Sequence, residues 1–280
     1  MRVILMKRIY VFVAMFVFLS AFVSAQQAFR IFVEVNGGNL TIIRSEGTTK
    51  ELLIPEAIND MPVTIIGEGA FTGKGLTMVT IPDSVVEIGE AAFSYNNLGT
   101  LVIGNSVETI GQSAFANNKL NDLTLGAGVT TIGMGAFMNN ELGLLDIPDS
   151  VTSIGPYAFF NNRLRNLTIP DTVVDIGEGA FSTNRIFSLV IGESVEEIGD
   201  GAFYNNQLTS ITIPASLRDL GIRVFESRLT QSSSGAQIDF MYDDGEVIFT
   251  TSNNFDNYFA TTGRRAGTYT FSRDGWAYVE

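Results

Sequence analysis

The 280-residue chain contains no cysteine and no histidine. Those absences exclude a cysteine nucleophile, a Ser-His-Asp triad, a histidine general base and a Cys/His zinc site. Any catalysis would have to rest on carboxylates, lysine, tyrosine or a hydroxyl. Without disulfides the fold must be held by its packed core, and 45% hydrophobic residues make a sizeable core available. Basic residues are also scarce: 17 Lys and Arg stand against 30 Asp and Glu, a formal net charge of −13. Such a chain repels nucleic acid and anionic lipid, so neither is expected as a partner. There is no phosphate loop, dinucleotide fingerprint or Asp-x-Asp-x-Asp-Gly calcium loop. No cofactor and no metal is expected.

A long apolar run opens the chain. Arg2, Lys7 and Arg8 precede Ile9 to Val23, interrupted only by Ser20, and Val23-Ser24-Ala25 stands before Gln26. This is the pattern of a secretory signal peptide over residues 1–25. The run is shorter than the ~20 residues a membrane-spanning helix needs, and no cysteine follows it for lipid attachment. Cleavage would leave 14 basic and 30 acidic residues, a net charge of −16, and no membrane-inserted segment.

What the chain has in abundance is periodicity. Phe71, Phe93, Phe115, Phe137, Phe159, Phe181, Phe203 and Phe225 recur every 22 residues, and Gly67 through Gly221 keep the same interval. Eight in-register copies specify a solenoid, in which each coil touches only its neighbours. In residues 79–100, Val79 and Ile81 alternate with Thr80 as a short strand, which Pro82-Asp83-Ser84 ends. Val85 and Ile88 form a second extended piece, Gly89 lets the chain turn sharply, and Ala92-Phe93 is expected in a single helical or 3₁₀ turn. Asn96, Asn118, Asn140, Asn162, Asn184 and Asn206 share the interval. They are read as an inward ladder that satisfies turn backbone and its own stacked copies, rather than as a row of ligand-binding amides.

Leu-x-x-Leu-x-Ile-Pro, Ser-Val-x-x-Ile-Gly and Ala-Phe, as they stand in Leu142 to Phe159, resemble the leucine-rich repeats of the BspA-like, or Treponema pallidum, type. The resemblance covers residues 54–230. It departs in two ways: Asn stands where that family often has Cys three residues after Phe, and the unit is one residue shorter. The resemblance implies a leucine-rich-repeat solenoid of short parallel strands. It also implies a bacterial secreted or surface protein, often an adhesion or interaction module, with no active site common to the family.

Stacked coils need closed ends. Residues 26–53 are expected to form an N-terminal β cap, with Asn36-Gly37-Gly38 as a hairpin turn, and Asn59-Asp60-Met61-Pro62 is read as an inserted loop. Residues 231–280 are expected to form a C-terminal β cap, with turns at Asp243-Asp244-Gly245 and Arg273-Asp274-Gly275 and with Trp276 in its core.

The outward strand position runs Thr80, Val102, Thr124, Asp146, Thr168, Val190, Thr212, and two residues before it lie Met78, Thr100, Asp122, Leu144, Asn166, Ser188 and Ser210. This face is either a binding surface or a solvated sheet. Lys119, Arg163, Arg165 and Arg185 cluster at the turn after the Asn ladder, while Glu87, Glu90, Glu108, Asp175, Glu178, Glu196, Glu197, Asp200 and Asp219 lie elsewhere. The basic edge either meets an acidic partner or merely breaks up like-charge repulsion. The candidate binding residues are therefore Arg163, Arg165, Arg185, Asp122, Asp146 and Thr168, and the expected partner is a protein or polysaccharide met in the periplasm, at the cell surface or in the medium. A spacer presenting the C-terminal cap and a β-helix enzyme acting on polysaccharide are the rival readings. The uniform coils, with no protruding loops, argue against the enzyme.

Overall fold

The structure, a computed structural model, describes residues 29–225 throughout and the backbone of residues 11–14, 242–243, 246–247, 267–272 and 275–279. The predicted leader and the Asp-Asp-Gly turn lie almost wholly outside the described residues, as does the side chain of Trp276. Residues Val11–Ala14 pair antiparallel with Arg30 to Val33.

Each coil has three sides. The second extended pieces form one side: Glu87–Ile88, Thr109–Ile110, Thr131–Ile132, Ser153–Ile154, Asp175–Ile176, Glu197–Ile198 and Asp219–Leu220 pair in parallel, each isoleucine or leucine beside the next. This sheet continues through Met61–Ile66 into the antiparallel hairpin of Arg30–Asn36 and Asn39–Glu46. The first strands form another side, in two separate sheets. Glu51–Leu53, Met78–Ile81, Thr100–Ile103 and Asp122–Thr124 make one. Asn166–Thr168, Ser188–Val190 and Ser210–Ile213 make the other, joined by the antiparallel strands Gly267–Ser272 and Gly275–Val279.

The third side differs from expectation. The Ala-Phe segments are hydrogen-bonded turns, and no helix or 3₁₀ turn forms among the described residues. The reason is where the amides point: Ala91, Phe93 and Tyr95 donate to the carbonyls of Gln112, Ala114 and Ala116 on the next coil. Reaching across requires left-handed backbone at two positions per coil, such as Ala91 (φ 50°) and Tyr95 (φ 55°). The inserted Asn59-Asp60 is likewise not a loop but the tip of a small hairpin between Ala57–Ile58 and Met61–Ile66, with φ of 51° and 64°. Two successive residues of positive φ match the twist of paired strands.

The interior is a single apolar column. Phe71 to Phe203 are wholly buried, and successive rings stack nearly parallel, with centroids 5.0 to 5.7 Å apart through Phe225. The glycine of each coil serves close approach rather than an unusual φ. A Cβ on Gly155 would lie 2.8 Å from Gly133 C and Met134 N and 2.9 Å from Ile132 O, all backbone of the coil beneath. Each buried Asn staples two coils. Asn140 Nδ2 donates to the carbonyls of Phe115 and Phe137, 3.0 and 3.1 Å away, and its Oδ1 accepts the Leu120 amide at 3.0 Å. The inner Asn side chains therefore bond backbone and not one another. It is an outer column that forms amide-to-amide contacts, with Asn139 donating to Asn117 and Asn161 to Asn139 at 2.8 and 2.9 Å.

Candidate binding surface

The two first-strand sheets are separated by one coil. Gly143 to Ile147 occupy the level where a strand is due, yet they form none. No backbone hydrogen bond among the described residues joins them to Asp122–Thr124 or Asn166–Thr168. The interruption is local. Above and below it Glu141 still donates to Leu120 and Arg163 to Leu142, and on the opposite side Ser153–Ile154 pairs with both neighbours. Asp146 stands here in a column otherwise made of Leu53, Thr and Val, and aspartate is a poor strand former.

The break opens the core. Inward residues of the other first strands, such as Leu101, Ile103, Leu167 and Leu189, are buried. Leu123, Leu125 and Leu145 are only partly so. The remaining partly buried core residues, Val35, Met61, Leu208, Leu217 and Leu220, lie toward the ends of the described stack. The result is a mid-stack apolar fissure, beside which Leu144 projects with 78% of its surface exposed. A Cβ on Gly143 would meet nothing within 4 Å, so the space next to Leu144 is open.

Of the six residues singled out from the sequence, five lie by register on the interrupted coil or on a coil next to it, and Arg185 lies one coil further along. Asp122 is exposed on the strand below the fissure and Thr168 on the strand above, while exposed Asp146 lies within the unpaired stretch. Arg163 and Arg185 occupy one column on consecutive coils, and Arg165 lies two residues further on. Arg163 Nη1 is 2.9 Å from Glu141 Oε2. Arg165 and Arg185 are exposed and form no ion pair among the described residues. Phe187, directly above Arg165 in its column, is 42% exposed. Sequence reasoning put Leu144 on the candidate face without singling it out and missed Phe187 and the fissure leucines as site residues, although Asp146 was a visible signal in its column.

The opposite, second-strand sheet is acidic toward its far end. Asp175, Glu197 and Asp219 sit side by side in parallel register along a shallow groove that Asp200 also lines. The Tyr157 hydroxyl donates to Glu178 Oε1. That hydrogen bond, with burial and the negative charge, holds the phenol above its usual pKa. Among the described residues no group of three His, Cys, Asp or Glu side chains is placed to hold a metal ion.

A 22-residue coil of two short parallel strands and a turn around a Phe column defines a leucine-rich-repeat solenoid. The sequence model described as BspA type Leucine rich repeat region (6 copies) matches residues 50–164 and 130–244. The chain belongs to this family. A comparison with curated proteins finds no match. Among solved structures, the chain is similar to the T. pallidum leucine-rich repeat protein, at 24% identity over 69% of this chain and 84% of that one, with a TM-score of 0.49. It is also similar to the pneumococcal vaccine antigen PcpA, at 20% identity over 69% and 70% of the two chains, TM-score 0.40. A leucine-rich repeat protein of Eubacterium ventriosum matches at 24% identity over 71% and 66%, TM-score 0.39.

Proposed function

We propose that this chain is an exported, non-catalytic binding solenoid of a bacterial envelope that holds a protein or polysaccharide partner on the first-strand side of its coils. One observation carries the reading. On a chain of net charge −13, Arg165 and Arg185 stand exposed and unpaired among the described residues, on the same side as exposed Leu144 and Phe187. Arginine and aromatic side chains are enriched where proteins are recognised. Arg163, Arg165, Arg185, Asp122, Asp146 and Thr168 form the surface in this reading. Residues 1–25 serve as the leader that delivers the chain to periplasm, surface or medium. Residues 26–53 and 231–280 close a solenoid of residues 54–230.

The test is binding of the purified chain to an array of extracellular-matrix proteins and glycans at varied salt. A salt-sensitive partner lost on joint Arg163→Ser, Arg165→Ser and Arg185→Ser replacement supports the reading. A partner retained at full affinity by that triple variant removes these arginines from the site, and binding to nothing on the array counts against a binding role.

A further inference from the structure

We propose that removal of residues 1–25 uncovers the outer edge of the strand Arg30–Asn36, and that two copies of this chain then join there, antiparallel and about a two-fold axis, as an end-to-end dimer. The inference rests on the leader reading of residues 1–25 given above and names a second copy of the chain as the partner.

The edge is already a pairing edge. Arg30–Asn36 is bonded on one side to Asn39–Glu46 and on the other to Val11–Ala14. Val11 stands opposite Val33, Phe12 opposite Phe32, Val13 opposite Ile31 and Ala14 opposite Arg30, with no shift of register. In the sheet order only Val11–Ala14 lies beyond Arg30–Asn36 among the described residues. Val11–Ala14 falls inside the leader. Its loss leaves main-chain groups turned outward at the end of a sheet that runs the length of the stack. An open edge of that kind templates another strand.

The residues of the strand select its own copy. Two antiparallel copies of one strand pair only with odd-numbered residues opposite odd and even opposite even, so that main-chain groups meet and side chains share a face. Centred on Phe32, the pairing sets Arg30 against Glu34 of the second copy at both ends, Ile31 against Val33 twice, and the two Phe32 residues against each other at the axis. Centred on Ile31 or Val33, it would set Arg30 or Glu34 against Phe32 instead. The faces agree with the first choice. Ile31 and Val33 are buried in the core, so their pairs carry the apolar interior from one copy into the other. Partly buried Val35 falls against Phe29 of the second copy. On the outer face the Arg44 guanidinium lies 4.0 Å from the centre of the Phe32 ring and holds it at the axis. Aromatic pairs and opposite charges across neighbouring strands stabilise such a ladder, and like charges directly opposite destabilise it. An isologous contact of this type closes on two subunits and stops there. The leader strand and the second copy compete for one edge, so the chain stays monomeric until the leader is cut.

The experiment exports the whole chain from a bacterial host, reads its N-terminus by mass spectrometry and follows its mass in solution by sedimentation equilibrium over a concentration series. The cut chain is expected to dimerise. Arg30→Glu and Glu34→Arg each oppose like charges at both ends of the ladder and are expected to weaken association about tenfold or more. Circular dichroism checks that both variants fold. In a mixture of the two variants every one of these positions again faces its opposite charge, and the mixed dimer is expected to recover the native affinity. A cut chain that is monomeric at every concentration, a dimer that neither variant weakens, or a mixture that fails to recover overturns the proposal and leaves the leader reading standing. An uncut exported chain overturns both, because the edge is then held from within.

Discussion

Replacing Phe137 by alanine removes a wholly buried ring stacked between Phe115 and Phe159, with centroids 5.4 and 5.3 Å away. A buried phenylalanine contributes about 150 Å² or more of apolar surface. At about 25 cal/mol per Å² the transfer cost of losing it is about 4 kcal/mol. Collapse around the hole is resisted, because the Phe115 amide is bonded to Ala136 and the Phe137 amide to Ala158, each at 2.8 Å. The two stacks of the ring are lost as well. These features place the substitution near the upper end of the range for core Phe→Ala changes, at about 5 kcal/mol. Tyr95, 67% exposed on the outside of the equivalent turn two coils earlier, is expected to cost less than about 1 kcal/mol on truncation. Urea denaturation followed by far-ultraviolet circular dichroism measures both. Since each coil touches only its neighbours, the central cavity also weakens the coupling of the two halves, and the transition of Phe137→Ala is expected to broaden. Equal losses for the two variants would refute the inward assignment of the Phe column.

Four further outcomes follow from the packing and the charge rows. Asn140→Ala leaves the Leu120 amide unpaired and removes one amide from each of two Phe carbonyls, a loss of about 3 kcal/mol by the same assay. Gly155→Ala forces a methyl to within 2.8 Å of the coil beneath and is expected to cost about 1–3 kcal/mol. Gly143→Ala meets open space and is expected to be neutral or to stabilise by up to about 1 kcal/mol; comparison of their melting temperatures decides this. Glu197→Gln removes one carboxylate from the row it shares with Asp175 and Asp219. It is expected to stabilise by about 0.2–1 kcal/mol at low salt, a gain that 1 M salt abolishes.

The interval of 22 residues made the interior legible, because identical side chains in identical coils have to stack: Phe137 and Asn140 could be placed before any coordinates. The left-handed turn left a partial signal, in Gly69, Gly135, Gly179 and Gly201 at its first such position and Gly73, Asn117, Asn139, Asn161 and Asn205 at its second, types that tolerate positive φ. Ala91, Ser113, Tyr157, Tyr95 and Thr183 interrupt both columns, and the inter-coil bonds that impose the turn on them are tertiary. The function of the repeating glycine was misread for a related reason. Its neighbour is the coil 22 residues earlier, not the chain on either side. The basic edge was visible as Arg163, Arg165 and Arg185. The fissure beside it was not, since Leu145-Asp146-Ile147 preserves the apolar alternation and only the missing pairing reveals that no strand forms.

The interchangeable coils make length an independent variable. Because Phe, Asn and Gly meet the same partners 22 residues away on either side, excising one whole unit, such as residues 167–188, rejoins surfaces that already fit. The molecule would then be shorter by the ring-to-ring step of 5.3 Å. Duplication lengthens it by the same step. A gene that gains or loses such units changes how far its product reaches without having to redesign any contact within it.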